Sequence, residues 1–115
     1  MVMRTEVMLG VVIKTAKVGE KATRVWVFGQ DGVRVLNCKM KASPQIFSIA
    51  EFTIASHTIT GIYIVNPCFE ITKDIKKYYR ACEICEEVLK LNPGPGVQTA
   101  ELFLETIEGL EGLCR

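Results

Sequence analysis

Residues 23–40 read TRVWVFGQDGVRVLNCKM and carry the clearest structural signal in the chain. Two runs rich in β-branched and aromatic residues, Thr23–Phe28 and Val33 to about Met40, flank the turn sequence Gly29–Gly32. Paired apolar runs around a glycine-bearing turn are typical of a β-hairpin. The stretch therefore predicts two adjacent antiparallel strands in the first half of the protein.

Further strand signals lie on both sides of this hairpin. Upstream, apolar residues alternate and are predicted to share one strand face, while Gly10 is predicted to mark a bend or bulge. The alternating residues are Val7, Leu9, Val11 and Ile13. Downstream, residues 46–55 and 59–65 form two more apolar runs. Five short strands predict a small closed barrel of the OB type, which commonly binds oligonucleotides on its strand 2–3 face, with an SH3-like barrel as the alternative.

The second half of the chain changes to a helical period. Apolar residues spaced by three or four positions predict an amphipathic helix with Thr72 as its N-cap and Asp74 in its first turn. They are Ile71, Ile75, Tyr78, Cys82, Cys85 and Leu89. The sequence NPGPG at 92–96 ends this helix, and a second is predicted from about Gln98. Its predicted inward residues are Ala100, Phe103 or Leu104, Ile107 and Leu110, and its outward ones are Glu101, Glu105 and Glu108.

These patterns predict a mainly β fold with an α appendage. We expect a five-stranded OB-fold-like barrel over residues 1–70, followed by two amphipathic helices in a helical appendage over residues 71–115. At 115 residues, with 49% hydrophobic and 23% charged residues, the chain has the composition of a globular protein. No run approaches 18 apolar residues, so we expect no membrane span and a cytoplasmic location.

Charge is distributed unevenly although the net charge is only +1. Residues 1–48 hold eight lysines and arginines against three acidic residues, whereas residues 92–115 hold one basic residue against four glutamates. A basic front half is compatible with a polyanionic partner. The candidate DNA-binding residues are Lys14, Lys17, Lys21, Arg24, Trp26, Arg34, Lys39 and Lys41. Trp26 is the candidate base-stacking residue, although burial in the core is the favoured interpretation for it.

The five cysteines do not predict a disulfide framework, because their number is odd and their spacing irregular. Cys82 and Cys85 form a C-x-x-C pair, but a structural zinc site needs four ligands and the single histidine, His57, lies far away in sequence. Both cysteines fall on the apolar helix stripe, which favours a core role. No phosphate loop, nucleophile elbow or acidic cluster is present, so we expect neither a metal, a cofactor nor enzymatic activity.

Four stretches resemble the bacterial DNA repair protein family RecO. They are LGVVIKTAKVGEK (9–21), QIFSIAEFTI (45–54), FEITKDIKKYYRACEICEEVL (69–89) and ELFLETIEGL (101–110). The resemblance covers nearly the whole chain at low identity and rests on the order of these elements. It implies an N-terminal OB-fold and a helical domain in a recombination mediator, present in the bacterial cytoplasm and associated with the nucleoid.

The resemblance also implies what the protein binds. A RecO-type protein binds single- and double-stranded DNA, anneals complementary strands, and works with RecR and with single-strand-binding protein. The helices expected to contact single-strand-binding protein would lie beyond Arg115, and the family's basic segment after strand three is reduced here to CKMKAS (38–43). The alternative hypothesis is a protein-interaction module that has lost DNA binding. Its helices would expose an apolar face around Ile107 and Leu110, which would favour self-association or a protein partner.

Overall fold

The computed structural model describes residues 4–39 and 43–114. Within these residues the chain forms five strands followed by three helices. The strands are β1 (Thr5–Lys17), β2 (Thr23–Gly29), β3 (Gly32–Cys38), β4 (Ile49–Ala55) and β5 (Thr58–Asn66), and the helices are α1 (Phe69–Thr72), α2 (Ile75–Leu91) and α3 (Val97–Leu113). This arrangement confirms the predicted mainly β fold with a helical appendage.

The five strands are hydrogen-bonded in a ring in the order β1-β2-β3-β5-β4. The predicted hairpin is β2–β3, with Gly29 paired to Gly32 across a two-residue turn. All neighbouring pairs are antiparallel except β3–β5, which is parallel and joins the strands only at Asn37–Thr58 and Cys38–Ile59. The ring therefore closes through a short seam, as in a partly open five-stranded OB-like barrel.

Strand β1 belongs to both walls of the barrel. Its first part pairs with β4 from Thr5 to Val11, and its second part pairs with β2 from Gly10 to Lys17. A Cβ atom at Gly10 would overlap Cγ1 of Val27, so this crossover requires a residue without a side chain. The sequence placed the bend or bulge at Gly10. The structure places the register shift between Val12 and Lys14, where the ladder with β2 accommodates one extra residue.

The buried residues form two clusters, one on each side of the sheet. The barrel core lies inside the ring and consists of Val12, Val25, Val27, Leu36, Cys38, Ala50, Phe52, Ile54 and Ile59. The helix-side core joins the outside of the barrel to the helices and consists of Val11, Ile13, Phe28, Phe47, Ile49, Cys68, Ile71, Ala81, Cys85, Val88, Phe103 and Leu110. Strands and helices thus share a core, although the chain changes from strand to helix between Asn66 and Phe69.

The apolar residues that alternate along β1 differ in burial between its first and second parts. Val11 and Ile13 are buried in the helix-side core, but Val7 is 67% exposed and Leu9 is 42% exposed. The helices cover only the second part of the outer face, so Val7 and Leu9 stay in solvent on the side of β4. Alternation alone could not show where the covering helices end.

The first helix predicted from the sequence is divided into α1 and α2 by a break at residues 73–74. Thr72 ends the four-residue α1 and is not the N-cap of the long helix, as the sequence had predicted. Asp74 is that N-cap, and its carboxylate accepts hydrogen bonds from the backbone N–H groups of Lys76 (2.9 Å) and Lys77 (3.3 Å). The left-handed Asn92 ends α2, where its N–H donates to the carbonyl of Val88.

Helix α3 packs against the β2–β3 hairpin. The Phe103 ring meets Phe28 edge to face, with ring centroids 5.6 Å apart, and Leu110 is fully buried. The expected exposed face around Ile107 and Leu110 is therefore wrong, because both residues pack in or against the helix-side core. At the hairpin turn Gly32 has φ +117°, and a Cβ there would overlap the carbonyl oxygen of Pro93 in the α2–α3 linker. Glu101, Glu105 and Glu108 point to solvent, as predicted.

No helix among the described residues is long and apolar enough to cross a membrane.

The close approach of β1 and β2 at Gly10 predicts how a substitution there changes the free energy of unfolding. Gly10→Ala should destabilise the protein by about 1–3 kcal/mol, because the new methyl group overpacks the barrel against Val27. Gly112→Ala is the control, since its Cβ meets nothing within 4 Å and alanine favours the helix, by about 1 kcal/mol at most. Urea unfolding of both variants measures the difference. Equal stability of the two variants would contradict the close approach of β1 and β2.

Candidate nucleic-acid interface

The outer face of β1, β2 and β3 combines an aromatic ring with two cations. Residues directly opposite one another in an antiparallel ladder share a face. Lys14 is paired with Trp26, and Trp26 with Val35, while Arg24 is paired with Asn37. These side chains lie on the outside of the barrel, next to the part covered by the helices. Arg24, Trp26 and Phe28 alternate along β2 and therefore share one face of the sheet.

The bulge in β1 determines the position of Lys14. Val12 is paired with Val27 inside the barrel, and the register shift after it puts Lys14 opposite Trp26 on the outer face. The Lys14 Nζ atom lies 4.7 Å from the centroid of the Trp26 ring. At exposed sites such a cation–π contact contributes about 0.5–1 kcal/mol. The bulge therefore places a positive charge against the only tryptophan of the chain.

Trp26 is partly buried and packs against the helix-side core. It is thus neither a fully buried core residue nor a freely exposed ring. Phe28, two positions further along the same face, is fully buried. Trp26 therefore combines packing against the core with partial exposure beside Lys14.

A cleft of about 540 Å³ lies at the end of the barrel where β1 passes into β2. Its lining includes three of the predicted DNA-binding residues, Lys17, Lys21 and Lys39, together with one carboxylate, Glu20. All three lysines are exposed. Ser43, the last residue of the reduced basic segment, also lines this cleft. The structure thus brings together cations that lie up to 22 positions apart in sequence.

Arg34 does not join the other cations. It is paired with Val27 near the Gly29–Gly32 turn, at the opposite end of the hairpin from the cleft. Its guanidinium forms an ion pair of 2.9 Å with Glu6 of β1. Arg34 therefore lies away from Lys17 and Lys21, because the length of β2 and β3 separates them. Lys41 lies outside the described residues.

Sequence reasoning missed Val35, Asn37, Glu20 and Ser43. Val35 and Asn37 extend the outer face beside Trp26 and Arg24, and Glu20 and Ser43 line the cleft. The turn at Gly29–Gly32 could have identified Val35 and Asn37, because a two-residue turn fixes which residues of the two strands lie opposite each other. No comparable signal exists for Ser43, which reaches the cleft through a loop.

The C-x-x-C pair lies on the inner side of α2. Cys85 is buried, and Cys82 packs against the helix-side core and is only partly exposed. Burial raises the pKa of the Cys85 thiol to about 12, and neighbouring Cys82 and Glu86 add to the shift. Burial likewise raises the pKa of the Cys68 thiol far above its usual range, with a further contribution from Cys114. Among the described residues no cluster of three or more histidines, cysteines or carboxylates has metal-binding geometry.

Comparison with known proteins does not identify a family for this chain. No protein-family model matches the chain, and no curated protein matches it significantly. The resemblance to the RecO family therefore stays a prediction from the sequence.

Thiol reactivity tests the position of the cysteine pair. Burial both raises the pKa of the Cys85 thiol and shields it from the reagent, so alkylation of the folded protein at pH 8 should leave Cys85 unmodified. Cys82 and Cys114, which are partly exposed, should react first. Mass spectrometry after timed iodoacetamide treatment measures the order, with denatured protein as the control. Labelling of Cys85 as rapid as that of Cys82 would contradict the core position.

Proposed function

We propose that the protein is a non-enzymatic module that binds single-stranded DNA on the outer face of β1, β2 and β3 and in the adjoining cleft. The observation that carries the proposal is the position of Trp26, which lies beside Lys14 on a face that also carries Arg24. Binding of single strands needs cations that follow the phosphates and planar groups on which bases stack. The lysines of the cleft and the Trp26 ring are such cations and such a planar group.

The cleft supplies the phosphate-binding part of the proposed site. In the part of the chain that the structure describes, Lys17, Lys21 and Lys39 form no ion pair with a carboxylate. Their charges are therefore available to a polyanion, and only Glu20 opposes them within the cleft. Neutralised phosphates release counterions, so binding through these lysines is salt-dependent and independent of base identity.

The outer face supplies the stacking part. Lys14 lies over the Trp26 ring and the indole packs against the helix-side core, and both contacts favour the orientation that the ring has in the structure. A ring held in one orientation loses little conformational freedom when a base stacks on it. Stacking on an aromatic side chain contributes about 1–3 kcal/mol per base. Trp26 therefore contributes to affinity without selecting a sequence.

The resemblance to RecO extends this proposal. It adds binding of double-stranded DNA, annealing of complementary strands in DNA repair and recombination, and work with RecR and single-strand-binding protein. It also places the protein in the bacterial cytoplasm in association with the nucleoid. The OB-like strand order and the position of the cleft are compatible with such a role, since oligonucleotides commonly bind OB barrels at this face.

A second candidate function is protein interaction through the opposite wall of the barrel. The outer face of β1, β4 and β5 carries four exposed apolar side chains, and helices do not cover it. They are Val7, Leu9, Tyr63 and Val65. Leu9 and Tyr63 flank Glu51 on β4, so the apolar residues extend across three strands. An exposed apolar surface that crosses a sheet favours association with a second protein surface.

Sedimentation of the purified protein tests this second function. If the β1–β4–β5 wall associates, the wild-type chain sediments as an oligomer and Tyr63→Ser shifts it towards the monomer, because the largest exposed apolar contact is removed. Tyr79→Ser is the matched control, since Tyr79 is similarly exposed on a different surface. A monomer at all concentrations would contradict self-association through this wall.

Fluorescence anisotropy with a labelled single-stranded oligonucleotide tests the proposed DNA binding. Lys17→Ala/Lys21→Ala should weaken binding to oligo-dT and oligo-dA equally and reduce the salt slope by about 1.4, because each lost phosphate contact accounts for about 0.7. Binding should also quench Trp26, the single tryptophan.

Lys73→Ala/Lys90→Ala removes the same charge from the helical part of the chain and is the control. It should leave the salt slope for a strand of about 6 nucleotides, short enough for the barrel alone, unchanged. Absence of binding by the wild-type protein at low salt, or equal losses for the two double variants, would overturn the proposal.

A further inference from the structure

The first two turns of α2 carry a surface that the barrel site does not include. Lys76, Tyr79 and Arg80 are exposed, with Tyr79 60% accessible, and their spacing of three and four residues puts them on one side of the helix. We name these three residues the α2 surface. It combines two cations with an accessible aromatic ring, as the barrel face does with Lys14, Arg24 and Trp26.

The stability of the helix does not account for these cations. A helix favours acidic residues at its N-terminus and basic residues at its C-terminus. Helix α2 follows this order at its ends, with Asp74 as N-cap and Lys90 in the last turn, but its first turn has no acidic residue and its N-terminal half carries Lys76 and Arg80 ahead of the glutamates. The glutamates are Glu83, Glu86 and Glu87. Arg80 does pair with Glu83 at 3.1 Å, but such exposed pairs contribute little and exchange readily for other partners.

Successive contacts connect the α2 surface with the barrel site. Tyr79 contacts Tyr78, and the Tyr78 ring lies edge to face on Phe47, with ring centroids 5.7 Å apart. The N–H of Phe47 donates to the carbonyl of Val12 at 2.8 Å. Val12 precedes Lys14 by two residues on β1, across the bulge. These contacts therefore lead from Tyr79 to the segment of β1 that carries Lys14.

We infer that the α2 surface is a second contact site for single-stranded nucleic acid, which continues the barrel site onto the helices. This inference rests on the proposed function. Lys76 and Arg80 neutralise phosphates of a strand that passes beyond the Trp26 face, and Tyr79 stacks on a base. Strands that fill only the barrel do not reach it, so it contributes only to the binding of longer strands.

Oligonucleotide length separates the two sites. Single OB barrels occupy about 4–16 nucleotides, so a strand of roughly 6 nucleotides fits the barrel and one of roughly 20 nucleotides extends beyond it. Lys76→Ala/Tyr79→Ala should weaken binding of the longer strand about tenfold and reduce its salt slope by about 0.7, because one stacked base and one phosphate contact are lost. Binding of the shorter strand and its quenching of Trp26 should not change.

Lys90→Ala/Leu91→Ala is the matched control, because it removes one exposed lysine and one exposed large side chain from the other end of α2. It should bind both strands as the wild-type protein does. If Lys76→Ala/Tyr79→Ala also binds the longer strand like the wild-type protein, the α2 surface is not a contact site while the barrel proposal stands. If the wild-type protein binds neither strand, both proposals are overturned.

Discussion

The close approach of β1 to β2 at Gly10 is the constraint on which the rest of the structure depends. Because no side chain separates the strands there, β1 can leave β4 and continue along β2 within a single strand. The bulge after Val12 then supplies residues to both cores, with Val12 inside the ring and Ile13 under the helices. One strand therefore joins the barrel to the helical part of the chain.

The same bulge determines where the basic side chain of Lys14 lies. With regular alternation, Lys14 would follow Val12 into the barrel, where an unpaired ammonium group is costly. The extra residue moves it to the outer face beside Trp26. Lys17 then lies at the end of the barrel near Lys39, while Arg34 is held at the far end by Glu6. The basic residues of the first half of the sequence therefore lie in three separate places: the outer face, the cleft and the ion pair with Glu6.

The features that the sequence predicted correctly depend on residues that are neighbours in the sequence. The turn at Gly29–Gly32 fixed the β2–β3 hairpin, and the 92–96 sequence ended α2. The features that it predicted wrongly depend on distant parts of the chain. The position of the bulge between Val12 and Lys14 depends on the pairing of β1 with β2, and the apolar face that the alternative hypothesis expected around Ile107 and Leu110 is covered by the barrel. Neither spacing nor composition contains that information.

The contact between Gly32 and Pro93 has a consequence for how the two parts of the molecule move. The hairpin turn lies against the α2–α3 linker so closely that no methyl group would fit between them. Together with the Phe28–Phe103 contact, it holds the β2–β3 hairpin and the helices as one body. A long ligand that touches both parts then meets a preorganised surface, because no hinge has to close before the second contact forms. The two parts of such a ligand would bind at an angle fixed by the fold.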